Sequence, residues 1–216
     1  MKKEPLTKGD WWKIARFWVV LLFIMAVLVG VALGPICPPD CPRQAKQSAA
    51  MQTSRAIGEA LYQYSLDHGG LYPDGKTSTE VFQHLIDENY IADPQVFYVA
   101  IFGKVKPKTN KLKSENVSFD VTSGIDPTSS DQLPIVFLTG FKIEYEPGAK
   151  AIPVMQSPDR TWSQWWDGMD NIEPFMAVCY KGNNARWMRS DKDGSIPNFI
   201  PADFDPKGKT YRQLTP

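Results

Sequence analysis

The stretch QAKQSAAMQTSRAIGEALYQYSLDHGG, residues 44–70, decides the fold. It contains no proline, and Ala45, Ala49, Ala56, Ile57, Ala60, Leu61 and Tyr64 recur at spacings of three, four and seven. That pattern predicts a helix over residues 44–66 with one apolar stripe. An alanine-rich stripe packs closely but buries little area, so the helix needs a partner surface. Asp67-His68-Gly69-Gly70 ends it, the glycines supplying a left-handed C-terminal stop, and Leu71-Tyr72-Pro73-Asp74-Gly75 reads as a turn. A second helix begins near Thr77, which with Glu80 has capping-box spacing, and Val81, Phe82, Leu85 and Ile86 form its buried face. Residues 89–94 end it. Beyond Pro94 come short apolar runs between turns, and 95–102, 134–139, 141–145, 175–180 and 185–189 are the strand candidates. Helices first and strands afterwards, without alternation, predict an α+β domain with an antiparallel sheet.

Upstream lies an apolar run from Ile14 to Leu33, preceded by Lys2, Lys3, Lys8 and Lys13 and with Arg16 near its start. At about 1.5 Å per residue its helix matches a hydrocarbon layer of roughly 30 Å, so a transmembrane helix over 14–34 is expected. Arg16 lies near the start of the run, where it can reach the headgroups, and Trp11, Trp12 and Trp18 gather at the same interface. The basic tail, 1–13, is then cytoplasmic and the remainder lies across the bilayer. A cleaved signal peptide is the rival reading. The run exceeds a signal core of roughly 7 to 15 residues, and no small-x-small site stands clearly at its end.

Residues 35–43 read as a linker in which Pro35, Pro38, Pro39 and Pro42 stop the helix. Cys37 and Cys41 within it are disulfide candidates, locally or between neighbouring chains. Cys179 reads as a buried thiol. The exterior domain is then 44–216, long enough for a core of its own.

The chain carries 24 basic and 24 acidic residues, which excludes a general nucleic-acid binder. Lys104, Lys106, Lys108, Lys111 and Lys113 cluster without interleaved aromatics, as in a solvated loop, with contact to an anionic surface as the alternative.

Ala56-Ile57-Gly58-Glu59-Ala60-Leu61-Tyr62-Gln63-Tyr64, running into Asp67-His68-Gly69-Gly70-Leu71-Tyr72-Pro73, resembles the type IV pilin-like family, particularly the pseudopilin-like proteins of bacterial type II secretion systems. Asn89-Tyr90-Ile91-Ala92-Asp93-Pro94 is similar to the phrase that closes the family's short helix, and 176–187 to its last hairpin, with Gly182-Asn183-Asn184 as the turn. The resemblance implies a pilin-like fold, a bacterial inner-membrane location with a periplasmic domain, and partners among secretion or pilus proteins or other copies of the chain. Gly9 is followed by Asp10-Trp11-Trp12-Lys13-Ile14, without the glutamate of a prepilin peptidase site, so the first helix reads as a tether.

Enzymatic signals are thin. His68 stands at a helix end and His84 on a polar face, and no nucleophile motif, zinc motif or phosphate loop occurs. No cofactor is expected. Asp191-Lys192-Asp193-Gly194-Ser195 resembles the start of a calcium loop, with Asp191 and Asp193 as ligands, but lacks the distal glutamate and reads first as a plain turn. Trp162, Trp165 and Trp166 fit a loop over the core, a protein interface or a glycan contact. The leading expectation is a noncatalytic accessory or structural subunit. A tethered binding module for protein or polysaccharide is the alternative, and an exported hydrolase the weaker one.

Overall fold

The computed structural model describes residues 8–32, 41–101, 103–154 and 175–216. The chain forms two units, Met1–Pro42 and Arg43–Pro216.

The first unit holds helix α1, Lys8–Ala32. The expected membrane span over 14–34 is not supported: among the described residues no helix is long and apolar enough to cross a membrane.

The second helix, α2, spans Cys41–Asp67. It takes in the last three residues assigned to the linker, because a proline in the first helical turn forfeits no intrahelical bond. Its buried face differs from the alanine stripe expected: Ala45, Ala49 and Ala56 are exposed, while Ala50, Ser54, Ile57, Gly58, Leu61 and Ser65 are buried. Serine can take an interior place because its hydroxyl turns back on its own helix. Ser54 Oγ donates to the Met51 carbonyl at 2.8 Å and Ser65 Oγ to that of Tyr62 at 2.7 Å. Gly58 sets the approach to the sheet, since a Cβ built there would stand 2.5 Å from Cys179 Sγ and 3.5 Å from Ile135 Cδ1. The helix stops as expected, with Gly69 and Gly70 at positive φ and the Gly70 amide donating to the Ser65 carbonyl at 2.6 Å.

Helix α3, Ser78–Asp87, buries Val81, Phe82, Leu85 and Ile86, and Thr77 caps it by accepting from the Glu80 amide at 3.2 Å. The Glu80 carboxylate reaches back one residue farther than a standard capping box, to the Lys76 amide at 2.7 Å. Thr77→Ala is expected to cost about 1 kcal/mol, read as a lower urea midpoint at unchanged slope.

Among the described residues seven strands follow: β1 Phe119–Ser123, β2 Pro134–Leu138, β3 Phe141–Ile143, β4 Ala151–Pro153, β5 Phe175–Tyr180, β6 Ala185–Arg189 and β7 Arg212–Leu214. Five make an antiparallel sheet in the order β6-β5-β2-β1-β7, and β3 pairs with β4 in a two-stranded one. The domain is therefore α+β with an antiparallel sheet. The strand expected at 95–102 is instead a 3-10 turn, Pro94–Phe97, followed by extended chain. Asp93 caps the turn by accepting from the Gln95 amide, and the Ser118 hydroxyl, bonded to both Val99 N and Val99 O, occupies the groups that a ladder would use. In the β5–β6 hairpin Asn183 has a φ of 57° and Tyr180 N donates to Asn184 O at 3.0 Å, the geometry of a turn with one left-handed residue.

Candidate interaction surfaces

On α1 the side chains described from Arg16 to Val27 are all exposed. Trp11, Trp12 and Trp18 are each more than half exposed, and the Arg16 guanidinium lies 5.5 Å from the centre of the Trp12 ring, one helical turn away. The helix is thus apolar around its circumference between Phe17 and Val27, and such a surface is stable only against lipid or other protein. Trp162, Trp165 and Trp166 lie outside the described residues, as does Cys37; Cys41 opens α2, but its side chain is outside them.

Asp191 and Asp193 sit in one tight turn, but their carboxylates are used separately. Asp193 Oδ1 accepts from the amide and hydroxyl of Ser195 at 3.0 and 2.7 Å, which holds its carboxyl below the usual range, and Asp191 Oδ2 faces Lys150 Nζ at 3.8 Å. The turn closes through Asp191 N on Ser195 O, and Ile196 then bridges to Ala151 of β4. Among the described residues no three His, Cys, Asp or Glu side chains converge on a metal position.

His68 closes the end of α2. Its ring stacks on Tyr64 at 3.8 Å, Nδ1 lies 2.8 Å from the Tyr64 carbonyl and Nε2 3.4 Å from Glu88. Tyr90 joins the same corner, donating to Asp67 at 2.8 Å, so the Tyr64–Gly70 phrase and the Tyr90–Pro94 phrase meet in space. His84 is exposed on α3. Of the five clustered lysines, Lys104 is half-buried, donates to the Ser114 carbonyl at 2.9 Å and is pushed down by burial; the other four are exposed.

Two features were missed in the sequence. The first is a buried polar clasp. Asp120 on β1 is fully buried, and Gln213 on β7 donates to its Oδ2 at 2.6 Å and to the Phe141 carbonyl at 2.5 Å, while accepting from the Ile143 amide at 3.0 Å. One side chain thereby ties β1, β3 and β7 together. Burial pushes the Asp120 carboxyl up to about 7, against the opposing pull of Thr139, Gln213 and Lys104. The second is the outward-facing strand β6. Arg186 donates to the Tyr180 hydroxyl at 2.7 Å and its guanidinium lies over that ring, while Arg189 lies over the 37 % exposed ring of Trp187. The only sequence signal was three polar or cationic residues, Arg186, Arg189 and Lys192, spaced by three.

No protein-family model matches this chain, and no curated protein or solved structure does either.

Proposed function

We propose that the chain is a noncatalytic, membrane-tethered accessory or structural subunit of a secretion or pilus-type apparatus, with a pilin-like domain displayed beyond a bacterial inner membrane. The observation that carries this reading is α1. Phe17, Trp18, Val19, Val20, Leu22 and Phe23, on all sides of one helix, are each more than half exposed, and the apolar run continues in the sequence to Leu33. A bilayer covers such a circumference; a single protein groove covers one side of it. The aromatic and cationic collar of Trp11, Trp12, Arg16 and Trp18 suits the interface. Support for a pilin-like domain comes from α2, a long helix whose small buried residues bring it close to an antiparallel sheet.

The chain is expected to stay with membranes through an alkaline carbonate wash, to dissolve in detergent, and to crosslink to secretion or pilus components. Release by carbonate overturns the tether; crosslinks only to proteins outside such an apparatus overturn the accessory role. A second reading, a tethered binding module, is favoured by the exposed basic and aromatic strand β6.

A further inference from the structure

We propose that the outer edge of β6 binds an acidic, extended protein segment by strand addition. The Tyr180 N to Asn184 O bond sets the phase of the β5–β6 ladder. Counting along the register, Val178↔Arg186 and Met176↔Met188 exchange hydrogen bonds, and Ala177↔Trp187 and Phe175↔Arg189 do not. The backbone N–H and C=O groups of Ala185, Trp187 and Arg189 therefore point away from β5. Among the described residues nothing pairs with them, and β6 is the terminal strand of its sheet.

The opposite margin differs. Strand β7 has only three residues, is fastened by Gln213, and is followed by Thr215, whose carbonyl accepts from Ser78 N of α3. Of the two margins, β6 with five residues is the longer, and β7 with three is the shorter.

Charge selects the occupant. Arg186, Arg189 and Lys192 have no carboxylate within ion-pair reach among the described residues. The two neighbouring acids are engaged, Asp191 with Lys150 and Asp193 with Ser195. Lys181, at the hairpin turn, is already held by the Pro127 and Ser129 carbonyls and Asp131. A second copy of β6 would set these uncompensated cations against each other, whereas an acidic strand pairs with them across the new ladder. Trp187 adds a half-open apolar surface beside the edge, and its ring is already held under Arg189. This partner class deepens the accessory role proposed above, but it does not depend on the anchor, and the carbonate wash and the peptide experiment fail independently.

The test uses the full chain in detergent micelles with a synthetic peptide of about six alternating threonine and glutamate residues, a length typical of a strand. Hydrogen exchange is followed at residues 185–189. The expected result is slower exchange of the Ala185, Trp187 and Arg189 amides with the glutamate peptide and none with its lysine counterpart. Arg189→Glu should weaken binding about tenfold. Trp187→Pro removes one outward N–H and spares the inner ladder, so it should abolish protection, while Trp187→Ala, which keeps the N–H, should retain it. Equal binding of the lysine peptide, binding without protection of these three amides, or binding unchanged in Trp187→Pro overturns the proposal. So does protection that appears on raising protein concentration alone, which would assign the edge to a second copy.

Discussion

Asp120→Asn should stabilise the folded domain by about 2–4 kcal/mol at pH 8 and by almost nothing at pH 4. The Asp120 carboxyl is raised from 3.8 in the unfolded chain to about 7 in the fold. Between those values the native state holds a proton that the unfolded state has lost, so stability falls as pH rises through this window and is level above it. Below about pH 4 both states are protonated and the group is neutral in its effect. Asparagine keeps the shape and an oxygen that can accept from Gln213, and it has no charge to bury. Asp126, held low by Lys209 and Thr128, and Asp193 act in the opposite sense, losing their contribution as pH falls below the ordinary carboxylate value of 3.8. Their window does not overlap that of Asp120. Urea midpoints of the wild-type and variant chains at half-unit steps of pH measure the difference directly, and the titrating groups not coupled to Asp120 cancel. Parallel curves between pH 5 and 8 would show that Asp120 is ionised in the fold without cost.

The second large effect is expected at the contact between α2 and the sheet. Gly58→Ala gains about 1 kcal/mol of helix propensity, but it drives a methyl group to 2.5 Å from the sulfur of a fully buried cysteine. Cys179 Sγ is fixed between Gly58 and the backbone of its own strand, where it lies 3.6 Å from the Tyr180 carbonyl, so it has little room to yield. Overpacking of this kind outweighs the helical gain, and a net loss of about 2 kcal/mol is expected. Cys179→Ala removes the sulfur and leaves a Cβ that stands 3.4 Å from the new methyl, a distance the neighbours can accommodate. The double variant should therefore recover most of the loss, with a coupling of about 1 kcal/mol or more in a double-mutant cycle. Additive effects would mean that the helix moves off the sheet instead of clashing. The same burial pushes the Cys179 thiol up to about 12, so alkylation of the folded chain should spare it.

Elements with strong apolar runs were legible in the sequence. Strands β5 and β6 fall at their expected limits, and α3 buries the four residues that its periodicity marked. Strand β1, Phe-Asp-Val-Thr-Ser, was not legible, because a strand that buries Asp120, Thr122 and Ser123 has no hydrophobic pattern. Two of its polar side chains bond to residues distant in sequence, while Asp120 Oδ1 and Ser123 Oγ are buried without a hydrogen-bond partner among the described residues. Thr122 Oγ1 donates to the Pro134 carbonyl at 2.6 Å and meets the Tyr145 hydroxyl, and Asp120 meets Gln213. The face of α2 was misread for a related reason. Hydropathy ranks alanine above serine and glycine, whereas the contact with β5 selects small volume, and a back-bonded serine has that volume with no unsatisfied hydroxyl. Of the candidate surfaces, the aromatic and cationic collar could be read from composition and order. The open edge of β6 could not, since it depends on strand order and ladder phase.

The small-residue face of α2 also bears on how the chain is made. Cys179 and Ile135, which cover Gly58, are synthesised long after it, and chains emerge from the ribosome N-terminal end first. For that interval α2 has no sheet to lie against. A face of leucine and phenylalanine would leave a sticky surface waiting. A face in which Ala50, Ser54, Gly58 and Ser65 surround Ile57 and Leu61 exposes less apolar surface, and the helix carries a lower risk of aggregation until its strands arrive.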